Sequence, residues 1–452
     1  MRDAAACLFP GFDGETVPDW LKRLLADGLG GVVLYGQNIR DPEQVAALTA
    51  SLRAERPELI VATDEEGGDV TRLEAGSGSS FPGNFALGAV DDPALTRRVG
   101  AAIGGELAAV GIDLDLAPVA DVLVDPASAI VGVRSFGSDP QVVARQVAAF
   151  VEGLQSVGVA ACAKHFPGHG ETVADSHLEL PSSEAGLDVL QDRALPPFSA
   201  AVKAGVRAVM TAHIRFGAFG EAPATWNSAV VELLRTELGF DGVVMTDALE
   251  MQGAGGPEGI DHSAVRALAA GADALCLGAA LTPEQIEGAY AAIASAVPEE
   301  RLAEAARRVA ELADWTSPRS LEDREAGAEA ARRALRVEGD PRVGADPLVV
   351  ELRAEPSIAA GASDHGLGEL LGAETIRLHE GDSMPALDSG RPLVLVVRDA
   401  HRHEWQRELV VPDAVVVETG VPEWRPEAAR AFVATNGPGR ANLAAAAEAL
   451  RS

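Results

Sequence analysis

Eight short apolar runs recur through the first part of the chain, at residues 6–9, 31–35, 59–63, 112–119, 159–165, 208–213, 242–246 and 272–277, with helical segments between them. A strand that is apolar throughout belongs in a sheet covered on both faces, and helical crossovers between such strands make that sheet parallel. Asp41-Pro42 and Asp139-Pro140 mark helix starts, each with an aspartate as cap and a proline in the first helical position, opening amphipathic patterns at 41–53 and 139–157. Eight strand–helix units of this length predict an α/β fold, a closed (β/α)8 TIM-type barrel rather than an open sheet.

Such a barrel keeps its chemistry at the carboxyl ends of its strands. Polar groups follow the runs there: Gly11-Phe12-Asp13, Gly36-Gln37-Asn38, Asp64-Glu65-Glu66, Asp121, Lys164-His165, Ala212-His213 and Asp247. A charged amphipathic helix over 301–315 ends at Thr316-Ser317-Pro318, which bounds a barrel domain at 1–318. A second helical pattern at 323–337 lies in a helical linker, 319–345. New strand-like runs at 348–352, 375–378, 393–397, 414–417 and 431–434 then predict a smaller C-terminal α/β sandwich over 346–452. Within it, Thr435-Asn436-Gly437-Pro438-Gly439-Arg440 reads as an ordinary tight turn before a helix or as an anion cradle, although no lysine or third glycine completes a phosphate fingerprint.

The 452 residues include 37 basic and 68 acidic side chains, a formal charge of -31, which argues against nucleic acid or an anionic membrane as partner. Cys7, Cys162 and Cys276 read as buried free thiols of a reducing compartment. No signal-peptide pattern or membrane-spanning run stands out, so a cytoplasmic location is expected.

The densest chemistry lies at 164–177, Lys-His-Phe-Pro-Gly-His-Gly-Glu-Thr-Val-Ala-Asp-Ser-His. Three readings compete for it. A metal site would use His165 and His169, but four-residue spacing puts both rings on one face only in a helix, and Phe166-Pro167-Gly168 is a poor helix. Alternatively the residues are turn formers and surface polars. In the third reading Asp175 and His177, two apart on an extended segment, project to the same side, so the carboxylate orients the imidazole and raises its pKa toward neutrality. Asp247, at the end of an otherwise apolar strand, is either a cap for the next helix or, with a proton donor on another loop, a nucleophile.

The combination resembles glycoside hydrolase family 3, and within it the β-N-acetylglucosaminidase branch. The residues that carry the resemblance are Asp64-Glu65-Glu66-Gly67-Gly68 with Arg72, Ala117-Pro118-Val119-Ala120-Asp121, Arg134-Ser135-Phe136-Gly137, Lys164 to Gly170, Asp175-Ser176-His177, Met210-Thr211-Ala212-His213 and Thr246-Asp247. The resemblance implies Asp247 as nucleophile, His177 as general acid/base and Asp175 as the carboxylate that orients it. It also implies that Asp64, Arg72, Arg134, Lys164 and His165 bind the hydroxyls of the non-reducing sugar. His169 and His213 are expected in supporting roles, and Asp121 and Glu65 in structural ones.

The implied substrate is a small oligosaccharide with terminal β-GlcNAc, from cell wall or chitin, cleaved with retention and with no metal or organic cofactor. A histidine acid is neutral after giving up its proton, so phosphate in place of water, a phosphorylase, is an alternative. A β-glucosidase of the same family and a non-catalytic sugar-binding protein are others. The chain departs from the family pattern at Asp69, where a basic residue is usual, and at Trp226, where an aliphatic one is common; both bear on subsite preference.

Overall fold

The computed structural model describes residues 2–172, 180–255, 259–355, 358–360, 365–385 and 390–451. Eight parallel strands form the first sheet: β1 (Leu8–Pro10), β2 (Gly31–Leu34), β3 (Ile60–Thr63), β4 (Leu114–Asp115), β5 (Ala160–Phe166), β6 (Ala208–Thr211), β7 (Val243–Thr246) and β8 (Ala274–Gly278). Their hydrogen-bonded order is β1-β8-β7-β6-β5-β4-β3-β2, so the two ends of the ladder are consecutive strands of the chain, as in a barrel almost closed on itself. β1 and β2 pack side by side there. A Cβ on Gly31 would come within 2.1 Å of the Phe9 ring, and only a glycine lets that ring in.

Alternation explains why the runs are apolar throughout. Phe9, Val33, Ile60, Leu114, Cys162, Met210, Met245 and Cys276 fill the barrel, while neighbours such as Leu8, Val32, Val61, Ala161, Val209 and Val244 face the outer helices. Burying each such Val, Leu or Ile contributes about 1.5–3 kcal/mol. The helices begin where the aspartates predict. Asp41 accepts from the Gln44 N–H ahead of Pro42–Glu55, and Asp139 accepts from Gln141 and Val142 ahead of Pro140–Ser156.

After the helix Glu299–Trp315 the chain forms a further helix, Arg324–Ala334, and enters a six-stranded sheet. Its strands are β9 (Arg336–Gly339), β10 (Leu348–Leu352), β11 (Glu374–Leu378), β12 (Leu393–Val397), β13 (Val415–Glu418) and β14 (Ala431–Ala434), in the order β9-β14-β13-β12-β10-β11. All pair in parallel except β9, which runs antiparallel at the edge. The helical pattern expected to reach 337 stops at Ala334, because Val337 is taken into this edge strand opposite Val433.

The second sheet points the carboxyl ends of its strands at the barrel loops that follow β3 and β4. Asp69 pairs with Arg398 at 2.5 Å, His401 Nε2 meets the Pro126 carbonyl at 2.9 Å, and Val421 packs among Leu123, Val131 and Val133. The turn after β14 is used for packing: a Cβ on Gly439 would lie 3.0 Å from the Gly68 Cα, and one on Gly437 2.8 Å from the Pro82 carbonyl. These two glycines let the turn approach the barrel backbone closely.

Candidate active site

Six of the residues expected to act on a sugar meet at one cavity of about 280 Å³ at the carboxyl ends of the barrel strands: Asp64, Arg72, Arg134, Lys164, His165 and Asp247. Each leaves the scaffold at a strand end or in the loop beyond it, as a barrel requires. Asp175 and His177 lie outside the described residues.

Lys164 anchors the arrangement. It is 2 % exposed, and its ammonium donates to Asp64 Oδ1 at 2.6 Å and meets Glu66 Oε1 at 2.7 Å. Burial works against that charge, but Asp64 and Glu66 outweigh it and hold the ammonium well above its ordinary range. Glu66 also receives the Arg134 guanidinium in a two-point grip, Nε to Oε2 at 2.9 Å and Nη2 to Oε1 at 2.7 Å. Its burial favours the neutral acid, yet Arg134 and Lys164 prevail and keep the carboxyl far below its usual range. Two buried cations and two carboxylates therefore form a fixed polar wall.

Glu66 is a site residue that motif reading quoted without a role. Its role appears only once the fold brings Lys164, at a strand end, and Arg134, in the loop after β4, together, because two buried cations require a counter-ion.

Lys164 and His165 both line the cavity although they are consecutive in a strand, where alternation sends neighbours to opposite faces. The reason is a register shift. Lys164 pairs with Met210 and Phe166 with Thr211, so His165 is an extra residue in β5. Asp121 fixes the result: its Oδ2 meets His165 Nδ1 at 2.7 Å, and its Oδ1 accepts the backbone N–H groups of His165 at 3.2 Å and His169 at 2.6 Å. His169 also lines the cavity, with Nδ1 2.9 Å from the Thr172 hydroxyl. Burial holds its pKa down at about 4, so it is neutral near pH 7.

Arg72 reaches the cavity from the loop after β3. Glu65 shapes that loop by accepting the N–H groups of Arg72 at 2.8 Å and Leu73 at 3.0 Å. The Arg72 guanidinium lies 3.8 Å from Asp64 Oδ2 and donates to the Ala359 carbonyl at 2.9 Å. Ala359 and Ile358 belong to the C-terminal domain, and both line the cavity. That contribution was not legible from the barrel motifs.

Asp247 follows β7 and is half-buried, with Oδ1 accepting the Ala248 N–H at 2.8 Å. His213 does not line the cavity. It braces the segment after Asp247, with Nε2 3.0 Å from the Ala248 carbonyl and Nδ1 2.7 Å from the Thr225 hydroxyl. Because a carbonyl only accepts, the Nε2 of His213 carries a proton.

The two departures also fall away from the cavity. Asp69 pairs with Arg398 of the C-terminal domain, and Trp226 lies under the Arg266 guanidinium, 5.2 Å from ring centroid to Cζ. Among the described residues no three His, Cys, Asp or Glu side chains converge as metal ligands would, and no helix is long and apolar enough to cross a membrane.

The family model for the glycosyl hydrolase family 3 N-terminal domain matches residues 11–312. A β-hexosaminidase of Chromobacterium violaceum is 37 % identical over 333 residues, which are 71 % of this chain and 92 % of that protein. Among solved structures, a glycoside hydrolase family 3 β-N-acetylglucosaminidase from Paenibacillus superposes with a TM-score of 0.87 at 31 % identity. That superposition covers 100 % of this chain and 96 % of the other. NagZ from Neisseria gonorrhoeae, solved with N-trifluoroacetyl-D-glucosamine, is 31 % identical with a TM-score of 0.56, covering 69 % of this chain and 98 % of its own. The strand-end carboxylate Asp247, the Lys164–Asp64–Glu66–Arg134 wall and a domain match spanning most of the barrel lead to one conclusion: the chain belongs to glycoside hydrolase family 3.

Proposed function

We propose that this glycoside hydrolase is a retaining, exo-acting β-N-acetylglucosaminidase that removes terminal β-GlcNAc from small oligosaccharides. One juxtaposition carries the reading: Asp247 opens on the same cavity as Asp64, Arg72, Arg134, Lys164 and His165. A cavity of about 280 Å³ that holds these charged groups together suits a single sugar entering by its non-reducing end. The β-N-acetylglucosaminidase name of the Paenibacillus protein and the N-trifluoroacetyl-D-glucosamine bound to the Neisseria protein support the N-acetylated sugar, and the Chromobacterium β-hexosaminidase supports a hexosaminide.

In the first step an Asp247 oxygen bonds to the anomeric carbon as the bond to the leaving oxygen breaks, and His177, oriented by Asp175, gives that oxygen its proton. In the second, His177 takes a proton from water, the hydroxide bonds to the anomeric carbon from the other side, and Asp247 leaves as carboxylate. Acid/base help of this kind contributes about 10² to 10⁴ in rate. Lys164 donates to one sugar hydroxyl while Asp64 accepts from its neighbour, and Arg72 and Arg134 complete the grip; the wall is already ordered, so little freedom is lost on binding. Glycans from cell wall or chitin both present the required terminal sugar.

The test is release of p-nitrophenol from its β-N-acetylglucosaminide by wild type and Asp247→Ala, with and without phosphate, alongside the β-glucoside. Wild type is expected to release N-acetylglucosamine without phosphate and Asp247→Ala to lose turnover. A sugar 1-phosphate as sole product would establish the phosphorylase instead, and faster glucoside cleavage the β-glucosidase. Sugar binding without any turnover would leave a binding protein.

A further inference from the structure

The barrel holds the nucleophile and the glycone wall, yet the cavity is not made by the barrel alone. Ile358 and Ala359 of the C-terminal domain line it beside Arg72, Asp247, Ile130 and Met251. Ile358 is 56 % exposed, the highest exposure among the large aliphatic side chains of the described residues. The buried wall residues Glu66, Lys164 and Arg134 mark the inner side of the cavity. An exposed lining residue therefore sits at its rim, and in an exo-acting pocket the rim is where the leaving group emerges.

Residues 358–360 are tied to the barrel loop after β3. The Ala359 carbonyl accepts from Arg72 at 2.9 Å, and three residues before Arg72 the Asp69 carboxylate grips Arg398 at 2.5 Å. Arg398 follows β12, the neighbour of β10, and Ile358 lies in the connection that leaves β10. The domain contact that holds the loop after β3 thus also sets where Ile358 stands. The Neisseria structure, whose chain is 98 % covered by 69 % of this one, matches a length close to that of the barrel alone.

We propose that Ile358 is a specificity-determining residue for the leaving group: the C-terminal domain supplies an apolar wall on which the departing sugar lays the C–H face of its ring. The Asp69–Arg398 pair is the positioning contact for that wall. This inference rests on the proposed glycosidase reading. An apolar contact of this size shifts discrimination between leaving groups by about tenfold.

The experiment compares chitobiose, whose leaving group is a whole sugar, with methyl β-N-acetylglucosaminide, whose leaving group ends before the rim. The ratio of their kcat/KM values is expected to fall about tenfold in Ile358→Ser, to be kept in Ile358→Leu, and to fall again in Arg398→Met with partial recovery in Arg398→Lys. An equal loss on both substrates, or no change in the ratio for Ile358→Ser, overturns this inference alone. Failure of wild type to cleave either substrate overturns the glycosidase reading and this one with it.

Discussion

Asp121 holds His165 at two points, the ring Nδ1 at 2.7 Å and the backbone N–H at 3.2 Å, and so fixes both where the ring stands and how it is turned. The same Oδ1 takes the His169 N–H at 2.6 Å, so one buried carboxylate ties down the start of the loop that leads to Asp175. Asp121→Asn keeps the size but loses the charge and one acceptor. It is expected to lower kcat/KM on the p-nitrophenyl substrate by roughly 10- to 100-fold, the range for a lost hydrogen bond to a charged group. Activity within about twofold of wild type would show that His165 needs no such support.

Glu66→Gln tests the wall. It leaves Arg134 and Lys164 beside a neutral amide with Asp64 as the remaining near carboxylate. Breaking a buried ion pair from one side costs about 3–5 kcal/mol, so the urea midpoint should drop and KM rise together. A variant as stable as wild type, with unchanged KM, would contradict the counter-ion role.

His213→Phe separates bracing from binding. The ring is off the cavity but holds the Ala248 carbonyl at 3.0 Å, next to the expected nucleophile. Loss of that brace should lower kcat about tenfold with KM little changed, because only the attack geometry is affected. A rise in KM alone would mean that His213 senses the substrate instead.

Glu418 gives the stability a definite pH dependence. Its carboxyl accepts the N–H groups of Asp399, Ala400 and Gly420, but burial, then the charge of Asp399, outweighs them and raises its pKa from 4.5 to about 7. Between those values the unfolded chain has released the proton and the folded one keeps it. Its contribution to stability is therefore full below about 4.5, falls as pH rises through about 7 and is constant above. Urea unfolding at pH 5 and pH 8 should show a smaller difference in Glu418→Gln than in wild type; equal differences would refute the assignment.

The barrel was legible because its strands are buried on both faces, which writes them into the sequence as uninterrupted apolar runs. Their ends were legible because a charged or ionisable group such as Lys164, His165 or Asp247 directly after a fully apolar run is costly to bury unless it is paired or used. Glu66 escaped notice since its role depends on Lys164 and Arg134, far away in sequence. The edge strand β9 escaped for a different reason. Arg324–Ala334 and Arg336–Gly339 share a charged composition, and only pairing with β14 tells where the helix stops. Ile358 carried no local signal at all, because an exposed isoleucine acquires meaning only from the domain contact that brings it to the rim.

The extra residue in β5 reaches beyond this site. A regular strand delivers one functional side chain per two residues to the mouth of a barrel; by slipping one residue against β6, this strand delivers a cation and an imidazole from adjacent codons. Deleting His165 would therefore do more than remove one side chain from the cavity: it would put Phe166 into the vacated place and move every later residue of the loop by one step. An insertion or deletion at this strand end is thus a change of topology for the chemistry, whereas the same event in the helices outside would be absorbed as a change of length.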